Sequence, residues 1–236
     1  LFYISQLGGN VFQAVVLDNA GNNAYKDPFS LDVYNETLYV NDRNVAVLKI
    51  PANAISLPQD YPSWMENNWM GFYNNPWAYG CIKAGWSIIS SDPANPEAEP
   101  EFWLGMKTNG QGIYRFKESN IGESVAKPGK KPENSEFLTG VNPIFTTFNI
   151  DEANHQMYIY IERIGTGADQ IKAGLYRISL EDLIAFGTGS DVPTLKSKLQ
   201  LIDGAPVKYE GSSTNEHVGI SQLCFDENKQ YMYWCY

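Results

Sequence analysis

The sequence predicts an all-β fold assembled from a recurring antiparallel unit, and three observations lead there. Short runs rich in Tyr, Val, Ile and Phe alternate with Gly, Asn, Asp and Pro punctuation, the pattern of strands and tight turns rather than of helices. Of the 236 residues 19% are charged and 14% aromatic, with 15 Tyr and 6 Trp, so the chain is globular and weighted towards residues that suit strands. One phrase nearly repeats: "FNIDEANHQMYIY" at 148–160 and "LCFDENKQYMYWCY" at 223–236 both place Met-Tyr six residues after the Asp of Asp-Glu.

In chain order the elements follow from local chemistry. Residues 1–21 read as a hairpin matching the second and third strands of the unit. Residues 29–55 show the unit whole: a strand, an Asn35-Glu36 turn, the strand "TLYV", an Asn-Asp-Arg-Asn turn and the strand "VAVLKIP". "FWLGMKTNGQGIYRFKESNI" at 102–121 repeats its second half. Residues 145–184 repeat the full order with a longer second turn and "GLYRIS" as third strand, and 220–236 repeat the first half. One stretch reads as helix, "SLEDLIAFG" at 179–187, with Ser179 as cap, Glu181 and Asp182 in the first turn and Gly187 at the close. The polar stretches 90–101 and 117–143 read as surface loops between units.

A unit of three or four antiparallel strands, built on an Asp/Asn-turned hairpin and ending in a strand with Lys or Arg among apolar residues, has the organisation of a propeller blade. Each unit leaves an apolar face for its neighbours. The expectation is therefore a single domain over 1–236, a β-propeller of about four to five blades or a piece of a larger ring. Phe29, Trp86, Phe145 and Ile220 recur at intervals wider than the roughly 40 to 50 residues of a standard blade, which implies either four or five blades with long loops or an incomplete piece of a larger ring. Pairing of the C-terminal strand, Tyr231 to Cys235, with a strand from residues 1–17 would complete one blade, close the ring and remove two exposed edges.

"LYVNDRNVAVLKI", "MYIYIERI" followed by "GLYRI", and "IYRFKESNI" resemble the repeats of bacterial β-propellers of the YVTN and NHL type, over about half of the chain. The resemblance implies an extracytoplasmic protein, periplasmic, cell-surface or secreted. The Tyr/Trp/Asn-rich composition agrees with that location, as does an abrupt start on a strand without a basic n-region or cleavage site.

The formal net charge of −10 at pH 7, with Lys and Arg scattered, disfavours nucleic acid as a partner. No run of 18 apolar residues occurs, so no membrane span is expected. Cys81, Cys224 and Cys235 have no C-x-x-C spacing and form no zinc site; Cys224 and Cys235 either pair across neighbouring strands or stay as buried free thiols.

No catalytic signature stands in the chain. Its densest feature is "YPSWMENNWMGFYNNPWAYGCIKAGW" at 61–86, with four of the six Trp. Trp64, Trp69, Tyr73, Trp77 and Trp86 offer flat faces to sugar rings or to the apolar side of a peptide, and Asn67 and Asn74 offer hydrogen bonds to hydroxyls. The same rings also suit a satellite core that anchors a long loop. The leading expectation is a binding module for a carbohydrate or a partner protein, reached through aromatic-rich inter-blade loops, with no cofactor and no chemistry on the ligand. The alternative is a lactonase- or hydrolase-like propeller with an axial divalent ion such as calcium, drawing on Glu216, His217, Asp151 and Glu152. A third possibility is a purely structural scaffold.

His155 reads as a solvated turn residue, while His217 follows the polar run Ser212 to Glu216 before a strand. "VNDRN" and "DEAN" lack the D-x-D-x-D-G spacing of a calcium loop and are explained by turn chemistry. Asn35-Glu36-Thr37 matches a glycosylation sequon but sits in a two-residue hairpin turn, which accounts for it without a glycan.

Overall fold

The structure, a computed structural model, describes residues 2–8, 11–16, 28–42, 46–51, 69–70, 85–106, 112–120, 135–203, 222–226 and 230–235. The chain divides into two compact units, Leu1–Gly80 with Ser119–Lys131 and Cys81–Glu118 with Pro132–Tyr236. Among the described residues it is all-β in character, with antiparallel sheets and only two short α-helices. None of these helices is long and apolar enough to cross a membrane.

In the first unit, β1 (Phe2–Gly8) and β2 (Val11–Val16) pair as a hairpin. β3 (Pro28–Tyr34), β4 (Thr37–Asp42), β5 (Ala46–Pro51) and β6 (Trp69–Met70) form a four-stranded sheet in which chain order is spatial order. Asn35 and Glu36 both take left-handed conformations, φ 45° and 58°, between the paired residues Tyr34 and Thr37. This is the backbone a two-residue hairpin turn needs to match the twist of its strands, so the expected turn is present.

In the second unit, β7 (Trp86–Ser90), β8 (Pro100–Met106), β9 (Gly112–Lys117) and β10 (Glu136–Phe137) make a second four-stranded meander. β11 (Ile144–Asp151), β12 (Gln156–Arg163), β13 (Gly174–Ser179) and β14 (Gln200–Asp203) make a third. β15 (Gln222–Phe225) and β16 (Met232–Cys235) pair as a hairpin. Between β13 and β14 run α1 (Leu180–Phe186) and α2 (Val192–Lys198). Helix α1 has the ends its sequence predicts: Ser179 Oγ accepts from the Asp182 amide at 3.0 Å, and Gly187 closes it at φ 53°.

The first strands of these sheets, β7, β11 and β15, lie side by side. Ser87 Oγ donates to Asn149 Oδ1 at 3.2 Å, and Asn149 Nδ2 donates to the Leu223 carbonyl at 3.1 Å, so one hydrogen-bonded chain staples all three. Just before β7, Gly85 sits at φ 81°, and a Cβ there would stand 2.7 Å from the Phe148 amide nitrogen. Only glycine permits that approach. The core fills the space between the second and third sheets, with Trp103, Phe137, Phe148 and Met157 fully buried and Leu183 and Leu195 closing it from the helices. Burial of such side chains contributes roughly 1.5–3 kcal/mol each, the main term holding this unit together. On the far face of the third sheet, Tyr160 and Leu175 pack against Leu223 of β15.

Three features depart from expectation. The stretch 117–143 is more than a surface loop, because Glu136–Phe137 is the fourth strand of its sheet and Phe137, Leu138 and Val141 are buried. These apolar side chains pin to the core a segment that is otherwise polar. Val192–Lys198, where no helix is expected, forms α2 with Asp191 at its cap, Pro193 in its first turn and Lys196 and Lys198 in its last. Cys224 is free and exposed: the register sets it opposite Tyr233, and Cys235 opposite Gln222.

Candidate functional site

The second and third sheets carry one motif in one register. Their third strands, "GIYRFK" and "GLYRIS", each present Tyr-Arg after an apolar residue. Antiparallel pairing sets Arg115 opposite Trp103 and Arg177 opposite Tyr158. Each arginine therefore stands directly across from an aromatic residue of the neighbouring strand. Two residues before each aromatic, on the same face of the strand, stand Glu101 and Gln156.

Around Arg115 the polar groups close on one another. Its guanidinium lies 5.3 Å from the ring centre of Trp103 and 5.6 Å from that of Phe137. Arg115 Nε is 3.9 Å from Glu101 Oε2, and Trp103 Nε1 donates to Glu101 Oε1 at 2.9 Å. Burial pushes the Glu101 carboxyl above the usual carboxylate range, outweighing the opposing pull of Arg115 and the indole N–H. The cleft beside it has a volume of about 160 Å³ and reaches Glu152 and His155. Glu152 Oε1 accepts from the Ser90 amide at 2.8 Å, and His155 Nδ1 stands 3.2 Å from Glu181 Oε1. Its charged groups are thus engaged within the chain, and the space falls short of the roughly 300–1,000 Å³ of small-molecule sites.

Around Arg177 they stay open. A polar groove of about 570 Å³ runs over the outer part of the third sheet, lined by Gln156, Tyr158, Arg177, Asp182, Lys198 and Gln200 among others. Arg177 Nε and Nη2 both donate to Gln200 Oε1, at 3.0 and 2.5 Å, which fixes the guanidinium plane. Lys198 Nζ donates to Asp182 Oδ1 at 2.5 Å, and that hydrogen bond holds the Asp182 carboxyl below its usual range. The Tyr158 ring packs edge-on against Phe225 with centroids 5.3 Å apart. Among the described residues Arg177 has no carboxylate partner, and the Gln156 amide and Tyr158 hydroxyl make no side-chain hydrogen bond.

Of the aromatic candidates, Trp86 is 8% exposed and stacks on Phe102 with centroids 6.5 Å apart, so its face belongs to the core and offers no platform to a sugar. Trp69 lies in β6 opposite Leu48. Trp64, Asn67, Tyr73, Asn74 and Trp77 lie outside the described residues, as do Glu216 and His217. Asp151 is buried and accepts from the Asn154 amide and Nδ2 at 3.3 and 2.7 Å, shaping the turn that leads to His155, whose φ is 50°. Among the described residues no three His, Cys, Asp or Glu side chains converge as a metal site would require.

Sequence reasoning overlooks Gln156, Arg177 and Gln200. The signal that finds them is the aligned Tyr-Arg pair of the third strands, once the register shows a Gln at the place where the sister sheet has Glu101. Comparison of the chain with protein-family models, curated proteins and solved structures finds no match.

Proposed function

We propose that this protein is an extracytoplasmic binding module on a β-propeller scaffold, holding a carbohydrate without acting on it. The groove over the third sheet is the observation that carries the reading. Its volume of about 570 Å³ lies inside the range of small-molecule sites, and its lining offers amide, phenol and guanidinium groups, which can meet the hydroxyls of a sugar ring.

The scaffold part rests on successive four-stranded meanders whose first strands lie side by side. The two terminal hairpins each hold two strands, the number the other would need to make a further four-stranded blade, for a ring of about four to five. The extracytoplasmic location is supported by the likeness of the repeats to bacterial propellers. The aromatic stretch 61–86 is a second surface to test, through Trp64, Trp69 and Trp77. A hydrolase would need Asp151 or Glu152 available for proton transfer or for a metal, and both accept hydrogen bonds that shape the chain.

Calorimetric titration of the purified chain against a panel of neutral and acidic oligosaccharides tests the proposal. Saturable binding is expected, weakened by Gln156→Ala and Tyr158→Phe, with every glycan recovered intact. Absence of binding across the panel, or turnover of a bound glycan, overturns it.

A further inference from the structure

We propose that the groove selects saccharides bearing a carboxylate, of the hexuronic-acid class, and that Arg177 is the residue that pairs with that carboxylate. This rests on the carbohydrate reading above and adds its specificity. The argument starts from the two arginines. Both occupy one register, opposite an aromatic of the second strand. For Arg115 the chain itself supplies the anion, Glu101, two residues before Trp103. At the corresponding place before Tyr158 stands Gln156, an amide of nearly the same shape and without charge.

Gln200 grips Nε and Nη2 of Arg177 through a single oxygen. A guanidinium has five N–H donors in a rigid fork, so Gln200 leaves donors over for a ligand. Lys198 and Asp182 neutralise each other, so Arg177 sets the sign of the groove in a chain whose overall charge is −10. Among the described residues no carboxylate pairs with Arg177, and a planar carboxylate is the anion whose geometry suits its fork. In the sister site a carboxylate oxygen stands 3.9 Å from Nε of an arginine that lies against an aromatic ring. Gln156 and Tyr158 add neutral donors and acceptors, which suit ring hydroxyls better than further charge.

Calorimetry of the full chain with digalacturonic acid and with its neutral counterpart, a galactose disaccharide, tests the proposal. A charge-assisted bond of this kind predicts roughly ten- to hundred-fold tighter binding of the acid by the wild type, weakening as salt rises. Arg177→Gln removes the preference. Gln156→Glu, which copies the Glu101 arrangement and guards against misfolding of the first variant, also removes it. Equal affinity for both sugars overturns the specificity and leaves carbohydrate binding standing. Binding of neither overturns both. Tight binding of a poly-glutamate peptide with none of digalacturonic acid identifies an acidic peptide as occupant and overturns the saccharide assignment.

Discussion

Arg115 and Arg177 are the same residue of the same repeat in neighbouring sheets, and they meet opposite fates. Arg115 lies against the stacked rings of Trp103 and Phe137 beside Glu101, next to a space of about 160 Å³. Arg177 faces a groove of about 570 Å³ with an amide for company. Two causes separate them. One is a single exchange, Glu101 against Gln156, which decides whether the arginine is neutralised from within. The other is cover: the complete third sheet and its helices pack over the second sheet, whereas among the described residues the far face of the third sheet meets only the β15–β16 hairpin.

The comparison can be broken severely at the seam. Gly85→Ala places a Cβ against the Phe148 backbone at a positive φ, and denaturant unfolding is expected to show a loss of about 3 kcal/mol. Next come the two aromatics. Trp103→Ala empties a core position and costs about 3–5 kcal/mol, whereas Tyr158→Ala, on the groove, costs about 1 kcal/mol and acts mainly on binding. Equal losses at the two positions would show that the groove is core.

Glu101 sharpens the contrast through pH. Its folded-state pKa is raised by burial, so its contribution to stability is present below the ordinary glutamate value and is lost as pH rises through the folded value. Glu101→Gln should flatten that part of the stability profile in thermal melts between mildly acidic and neutral pH. A slope unchanged from wild type would contradict the assigned burial.

The smallest effect belongs to Lys198→Met. The folded pKa of Asp182 is depressed, so the pair stabilises above the ordinary aspartate value and loses that contribution as pH falls through the folded value. With side-chain exposures of 34% and 39%, solvent screening limits the change to about 0.5 kcal/mol or less at neutral pH.

Much of this architecture is legible in the sequence because it is local. The Asn35-Glu36 turn, the capped helix at 180–186 and the strands "TLYV", "GIYRFK" and "GLYRIS" follow from turn chemistry, capping and alternation. Residues 136–137 hide because two strand residues inside a long polar stretch leave no period to detect. Helix α2 hides because seven residues with Lys at the end look like loop unless Asp191 and Pro193 are read as a helix start. Trp86 looked like a ligand platform because composition alone does not tell an exposed ring from a buried one. The candidate groove was out of reach for a different reason. Gln156, Arg177 and Gln200 lie far apart in the chain and become one constellation only through the pairing of β12, β13 and β14.

The direct measurement is the side-chain nitrogen spectrum of 15N-arginine-labelled protein during titration with digalacturonic acid. The account predicts that the Arg177 Nε resonance shifts and saturates while that of Arg115, already matched by Glu101, stays in place. A stationary Arg177 signal, or equal shifts at both arginines, would contradict it.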